Sequence, residues 1–270
     1  MNKEKEFGQG RVSANILRLA IPMTLAQLIN VLYNVVDRIY IGHIPGIGTQ
    51  ALAGIGVAGS LIILISAFSA IVAGGGAPLA AIALGQGNRT HAGKILGNGF
   101  VLLLFFTLLT SGLSYLFMEP ILLFTGASEQ TLGYATAYLS IYLIGTLFVE
   151  VSVGLNTFIN TQGRPGIAML SIVIGALLNI LLDPLFIFVF DWGVKGAALA
   201  TIISQACSAG WVLFFLTSRR ASLRLEPRYM RLDRTVVGAI LALGDSPFIM
   251  ASTERLVGFV LKGSLKTFGD

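Results

Sequence analysis

The amino-acid sequence predicts an all-α membrane protein, a polytopic bundle of helices that cross a lipid bilayer. Of its 270 residues, 55% are hydrophobic and only 11% are charged, whereas a soluble domain has about 25% charged residues. The mean hydropathy is +0.82. The apolar stretches are also long. Several approach the roughly 20 residues that an α-helix needs to cross a membrane, whereas the strands of a membrane β-barrel would alternate over about ten.

Seven apolar stretches define the predicted helices, and the seventh is weaker than the others. In chain order they cover residues 16–42, 52–77, 95–117, 132–158, 166–190, 196–216 and 247–268. The segments between the first six are rich in turn-forming residues, and in chain order they read IPGIG, LGQGN, FTGAS, TQGRPG and DWGVKG. Gly, Pro, Asn and Asp interrupt helices and favour turns. We therefore expect six helices joined by short connections, followed by a seventh helix.

The distribution of Lys and Arg residues predicts the orientation of the bundle. The N-terminal tail and the second, fourth and sixth connections hold thirteen of them, which are Lys3, Lys5, Arg11, Arg18, Arg89, Lys94, Arg164, Arg219, Arg220, Arg224, Arg228, Arg231 and Arg234. The connections on the other side hold only Lys195. Because short loops rich in Lys and Arg stay in the cytoplasm, we expect a cytoplasmic N-terminus in a multi-pass protein of the plasma membrane.

The sixth connection, residues 217–244, is the one sizeable polar segment. It could bind anionic lipid headgroups or a cytosolic partner, but a basic linker between two membrane bundles is the simpler interpretation. The pI of about 9.5 then reflects topology and does not indicate nucleic-acid binding. After this segment, Pro247 aligns with Pro22 with similar apolar spacing, as the start of a parallel repeat would. We therefore divide the chain into a six-helix lobe (1–216), a cytoplasmic linker (217–244) and the first helix of a truncated second lobe (245–270).

Two carboxylates lie within the predicted spans. Asp37 is in LYNVVDRIYIG and Asp183 is in LLNILLDPLFIFVF. A charge at mid-bilayer costs about 3 kcal/mol, so such residues usually face a protein interior or a water-filled path and mark an ion or substrate route. Asn179 lies one helical turn before Asp183. Three polar residues share a face of the first helix with Asp37, and these are Gln27, Asn30 and Asn34. We expect these faces to line a cavity.

Five stretches of the sequence, in order and at matching separations, carry a family resemblance. They read IPMTLAQLINVLYNVVDRIYIG, GGGAPLAAIALGQGNRTHAGKILGNG, NTQGRP, NILLDPLFIF and GVKGAALATIISQ. The set resembles the first half of the multidrug and toxic compound extrusion (MATE) transporters, followed by helix seven. The resemblance implies a MATE-like six-helix lobe of a twelve-helix protein, whose two lobes are related by an axis along the membrane normal. It also implies cation-driven export of organic, often cationic, compounds, and the sequence lacks helices eight to twelve.

The resemblance further implies a site for the coupling cation within the first lobe. The matching positions are Asp37, Asn179, Asp183 and Thr201. Carboxyl groups in a low-dielectric cavity can take up and release a proton near working pH, and carboxylate, amide and hydroxyl oxygens can ligate Na⁺. The alternative is a structural polar cluster that joins the first, fifth and sixth spans, and for Thr201 the two interpretations stand equal. We expect H⁺ or Na⁺ at Asp37 and Asp183, no other metal and no cofactor.

Further polar residues are candidates for lining a substrate cavity, and these are Tyr33, Asn34, Asn156 and Glu150. Hydrogen bonds between packed helices explain Asn156 equally well, and Glu150 could instead pair with Arg38. Pro22 removes a backbone hydrogen bond inside the first helix, and the resemblance implies that it acts as a hinge. The alternative is a static kink.

These features predict a secondary-active efflux transporter that exchanges drugs or organic cations for H⁺ or Na⁺, truncated to about one half. A lipid-intermediate flippase of the same architecture and a non-transporting remnant stay open as alternatives, although acids in the cavity suit cationic cargo better. An enzyme is not predicted, because the sequence has no HExxH, GxSxG or paired acidic metal motif. The expected partners are the lipid bilayer, small organic cations and a missing C-terminal lobe, with no nucleic acid.

Overall fold

The computed structural model describes residues 12–268, and the regular structure within that range is entirely helical. The helices are α1 (Val12–Gly42), α2 (Gly48–Ile71), α3 (Ala77–Gly85), α4 (Arg89–Leu116), α5 (Met118–Phe124), α6 (Glu129–Thr161), α7 (Pro165–Pro184), α8 (Gly193–Thr217) and α9 (Arg234–Phe268). A π-helical turn at Val72–Gly76 joins α2 to α3, and another at Leu185–Val189 extends α7. The predicted orientation rests partly on Lys3, Lys5 and Arg11, which lie outside the described residues.

Six helical segments in the described part of the chain are long and apolar enough to cross a membrane. They cover Ile16–Gly42, Gly48–Gly85, Arg89–Leu116, Glu129–Thr161, Pro165–Val189 and Gly193–Thr217. The chain is therefore a multi-pass membrane protein. The predicted fold class, a polytopic helical bundle with a six-helix lobe and a seventh helix, is confirmed.

The seventh helix differs from the prediction in its start. It begins at Arg234, not near residue 247. Residues 234–244, which we expected to belong to the linker, are helical. Their apolar positions explain this, because Val236 and Ile240 lie one turn apart and are both buried in the core of the lobe.

The central helix of the lobe is α6, which contacts α2, α4, α7 and α8. Its membrane segment is 67% buried, whereas that of α1 is 6% buried. The edge helix α1 lies mainly against α7. The position of every polar side chain on α1 therefore depends on how α1 packs against α7.

Two hydrophobic clusters form the core, and they divide α6 between them. Buried residues of α6 up to Val149 belong to one cluster, together with residues of α2, α5 and the start of α8. Buried residues from Val151 onward belong to the other, together with residues of α3, α4 and the end of α8. Glu150 lies where the two clusters meet.

The predicted turn segments end helices for identifiable reasons. Gly87 and Gly163 have φ angles of 74° and 73°, in the left-handed region that glycine adopts without steric cost. The side chain of Asn88 accepts a hydrogen bond from the His91 N–H at 3.0 Å and so caps the start of α4.

The segment between α8 and α9 packs against the lobe instead of extending away from it. Ala221, Leu223 and Leu225 are buried in the core. The Leu223 N–H donates to Oε1 of Gln162, at the end of α6, over 3.0 Å. The first half of the expected linker is thus part of the folded lobe.

Buried Asn98, on α4, holds the second half of the same segment. Its Nδ2 donates to the carbonyl oxygens of Tyr229 and Arg231, each at 3.2 Å. Its Oδ1 accepts from the Asp233 N–H at 2.7 Å. Gly97 permits this approach, because a Cβ atom there would collide with the backbone of Tyr229. One side chain therefore satisfies three backbone groups of a segment whose regular structure is one short 3-10 turn, Pro227–Tyr229.

Candidate cation site

The carboxyl groups of Asp37 and Asp183 meet where α1 packs against α7. They lie within hydrogen-bonding reach of each other, and Asp183 is fully buried. A hydrogen bond between two carboxyl groups requires a proton on one of them. The pair therefore carries at most one full negative charge when it is joined in this way.

Asn179 joins the pair from the same helix as Asp183. Four residues separate the two positions, so both side chains lie on one face of α7. The Asn179 Nδ2 donates to Asp183 Oδ1 at 3.2 Å. Three buried oxygens of this site receive no donor, which are Asp37 Oδ1, Asn179 Oδ1 and Asp183 Oδ2.

Thr201 of α8 completes the set implied by the sequence resemblance. Its Oγ1 lies 3.5 Å from Asn179 Nδ2 and donates to the Ala197 carbonyl at 3.0 Å. Gly196, in the first turn of α8, permits close contact with the π-helical turn that follows Asp183, since a Cβ there would collide with the Phe186 carbonyl group. All four side chains thus lie together, although they come from three helices.

The oxygen atoms that receive no hydrogen bond indicate what this site can bind. Buried polar atoms are normally hydrogen-bonded, so three unpaired oxygens at one place need an explanation. A cation satisfies them directly, because Na⁺ and similar hard ions prefer carboxylate, amide and hydroxyl oxygens. A proton shared by the carboxyl groups satisfies them in part. The arrangement is suited to a small monovalent cation.

The other candidate residues of α1 do not all lie at the cation site. Tyr33 is half-buried, and its hydroxyl interacts electrostatically with Asp37 and Asp183, so it belongs to the same site. Asn34, the next residue, is exposed and donates to the Asn30 carbonyl of its own helix at 2.7 Å. Pro22 lies inside α1, which continues through it to Gly42.

Asn156 and Glu150, both on α6, lie in helix contacts. The Asn156 Nδ2 donates to the Ala168 carbonyl at 3.1 Å and to Ser171 Oγ at 2.7 Å, which joins α6 to α7 as the packing interpretation expects. Glu150 accepts hydrogen bonds from two serines of α2. It does not pair with Arg38, which lies on the exposed surface of α1 beside Asp37.

Sequence reasoning missed two tyrosines of α6. The Tyr138 hydroxyl lies close to Thr201 and interacts electrostatically with Asp37 and Asp183. Tyr142 stacks on Tyr138, with ring centroids 5.9 Å apart. Both are buried. Their spacing of four residues was the available signal, but an aromatic pair in an apolar helix ordinarily indicates core packing.

Comparisons with known proteins bear on the family and the fold. The sequence profile of the family described as MatE matches residues 22–185. The multidrug export protein MepA of Staphylococcus haemolyticus is 24% identical, over 98% of this chain and 58% of the relative. MepA of Staphylococcus aureus (strain N315) is 25% identical over the same shares. The chain therefore spans about 58% of the length of these curated relatives.

A solved structure shows the same fold. It is described as an outward-facing conformation of a multidrug resistance MATE family transporter of the MOP superfamily. The TM-score is 0.89 at 24% identity, and the match covers 100% of this chain and 59% of that one.

Proposed function

This chain belongs to the MatE family, and from that membership we propose that it forms the first lobe and the seventh helix of a cation-driven multidrug efflux transporter. The single observation that carries the proposal is the meeting of Asp37 and Asp183, with donor-free oxygens, inside a bundle of membrane-spanning helices. Acids within a membrane bundle are expensive and usually serve ion or substrate movement. The relatives are described as multidrug export proteins.

The coupling cation is H⁺ or Na⁺, bound by Asp37, Asn179, Asp183 and Thr201. Its binding lowers the charge of the carboxyl pair from two negative charges to one and draws α1 and α7 together, whereas its release leaves two repelling charges at the contact of these two helices. Different affinities in two conformations bias their populations. One elementary charge that moves through 100 mV supplies about 2.3 kcal/mol, enough to shift such an equilibrium about fiftyfold.

Movement of α1 is the structural response that this proposal requires. The edge position of α1 leaves it few contacts to break, because it lies mainly against α7. Pro22 has no N–H to donate to the preceding turn, so α1 bends there at low cost. We assign Pro22 as the hinge. The N-terminus lies in the cytoplasm, and the protein resides in the plasma membrane.

The exported compounds are small organic cations. Tyr33 and the carboxyl pair give the region beside α1 an acidic and aromatic character, which attracts cations both electrostatically and through the ring face. In the complete transporter, the second lobe supplies the opposite wall of the substrate cavity.

Cation binding by this chain in lipid nanodiscs tests the site. We expect Na⁺ titration, followed by calorimetry at alkaline pH, or proton uptake, followed with an indicator dye, to detect binding that Asp183→Asn abolishes. Asp191→Asn is the matched control. Asp191 is exposed and has a φ of 54°, which asparagine also tolerates. The response to Na⁺ or to pH identifies the ion.

Transport requires the second lobe, so it is measured on a protein that contains both lobes. In vesicles, an imposed cation gradient should drive efflux of ethidium, and Asp37→Asn should uncouple efflux from the gradient. Equal gradient-driven efflux in Asp37→Asn and Asp191→Asn would overturn the proposal.

A further inference from the structure

Glu150 is a buried acid that the proposed cation site does not use. It lies on α6, exposes 1% of its surface and occupies the boundary between the two hydrophobic clusters. Burial of an unpaired carboxylate is strongly unfavourable, so such a group is kept neutral by a proton or is paired with a positive charge. Its surroundings decide which of these applies.

Two serines of α2 face this carboxyl group. Ser66 Oγ donates to Oε1 at 2.7 Å, and Ser69 Oγ donates to Oε2. The two serines lie one turn apart, so one face of α2 presents both hydroxyls. Each carboxyl oxygen thus has one neutral donor, and neither donor removes the charge.

Among the residues whose side chains the structure describes, the other elements around Glu150 bring no compensating cation. From α6 itself, Tyr142 is the titratable group that interacts with Glu150. No lysine, arginine or histidine among the described residues of α4, α7 or α8 acts on it, and neither does another acid. A proton is therefore the means of neutralising Glu150 that these surroundings allow.

Glu150 is also well separated from Asp37 and Asp183. Tyr138 of α6 reaches that pair through Thr201, and Glu150 lies three helical turns further along α6, which corresponds to about 18 Å. The middle of α6 (Glu129–Thr161) falls between Tyr138 and Glu150. The two acidic positions therefore lie on opposite sides of the middle of this span, with Tyr142 between them.

We propose that Glu150, Ser66 and Ser69 form a second proton-exchanging site, placed across the middle of the membrane from the Asp37–Asp183 pair. When the site is loaded, the Glu150 carboxyl group holds a proton and a serine hydroxyl accepts from it. When the O–H bond breaks, the proton passes to water that enters between α2 and α6, and both hydroxyls donate to the carboxylate. A hydroxyl group can play either part because it is both donor and acceptor.

This site deepens the proposed function, since a proton route through the lobe needs positions on both sides of the membrane middle. It rests on the proposed function in one respect, which is that the proton exchanged at Glu150 serves transport. Exchange at Glu150 itself requires neither a second lobe nor a drug, so it is measured on this chain alone.

Infrared difference spectroscopy of the chain in lipid nanodiscs tests the proposal. Protonated carboxyl groups have a C=O stretching band that ionised carboxylates lack. Between acidic and alkaline buffer we expect one buried carboxyl band to disappear in addition to any band of the Asp37–Asp183 pair, and we expect Glu150→Gln to lack this additional band at every pH. Glu129→Gln is the matched control, because Glu129 is an exposed acid of the same helix, and it should keep the band.

A second variant covers the possibility that Glu150→Gln does not fold. Ser69→Ala removes a hydrogen-bonding partner of the carboxyl group, and loss of such a bond raises the C=O stretching frequency. A pH-dependent band that shifts in Ser69→Ala supports the assignment. An additional band that is unaffected by Ser69→Ala, that persists in Glu150→Gln or that is insensitive to pH overturns it, and the last of these outcomes indicates a purely structural proton.

The doubly substituted variant Asp37→Asn, Asp183→Asn separates the two proposals. It should lose cation binding at the Asp37–Asp183 pair yet keep the Glu150 band. Loss of the Glu150 band in that variant would overturn the independence of the two sites.

Discussion

Replacement of Asn98 by alanine should detach the segment between α8 and α9 from the first lobe. The buried Asn98 side chain bonds three backbone groups of that segment, the carbonyl oxygens of Tyr229 and Arg231 at 3.2 Å and the N–H of Asp233 at 2.7 Å. Each such bond contributes about 1 kcal/mol net, so their loss costs about 3 kcal/mol. The neighbouring ion pair between Lys94 and Asp233, at 3.8 Å, is partly exposed and contributes little.

Trypsin digestion under native conditions measures this release. Arg228 and Arg231 lie in the segment and are exposed, but cleavage requires the surrounding chain to leave the lobe. When opening is fast relative to cleavage, the cleavage rate follows the population of the open state. A loss of about 3 kcal/mol raises that population, and so the cleavage rate, about a hundredfold.

Asn88→Ala is the matched control for this experiment. Asn88 lies at the start of the same helix, is exposed and caps it through His91, so its loss costs about 1 kcal/mol of local helix stability. It makes no hydrogen bond to the segment between α8 and α9 among those the structure describes. Equal cleavage rates at Arg228 and Arg231 in Asn98→Ala and Asn88→Ala would refute the reasoning.

Two further substitutions test the packing that the structure describes. Gly75→Ala places a Cβ against the Ile240 carbonyl of α9, whereas Gly59→Ala faces open space. We expect faster hydrogen exchange in the first turns of α9 for Gly75→Ala alone, and equal exchange in both variants would contradict this contact. Phe158 is fully buried, so Phe158→Ala should lower the free energy of unfolding in an SDS titration by about 3–5 kcal/mol. Phe124 is 89% exposed, and Phe124→Ala should change it by no more than about 0.5 kcal/mol; similar losses in both would show that Phe158 is not a core residue.

Most residues of the cation site could be found in the sequence because they interrupt the apolar character of the membrane spans. Asp37, Asp183 and Asn179 are polar groups in helices that are mostly apolar, and the cost of placing them in lipid makes them conspicuous. Tyr138 violates no such pattern. An aromatic residue in an apolar helix is ordinary, and its contact with Thr201 exists only because α6 and α8 pack together.

The packing of the segment after α8, by contrast, could not be predicted from the sequence. Its arginines predict a solvent-facing linker, and several of them are indeed exposed. The alternating buried positions Ala221, Leu223 and Leu225 are too few to predict docking on their own. Nothing in the local sequence indicates that Asn98, more than a hundred residues earlier, bonds the second half of this segment.

The sequence by itself determined the number, order and membrane character of the six membrane-spanning segments, because hydrophobicity and helix length are properties of one continuous stretch of chain. It also identified the acids that lipid would not tolerate. Only the tertiary structure decided which acids meet and which stand apart. Asp37 joins Asp183 through the contact of α1 with α7, whereas Glu150 is held by Ser66 and Ser69 of α2. These distances depend on packing between segments far apart in the chain, and periodicity within a segment carries no information about them.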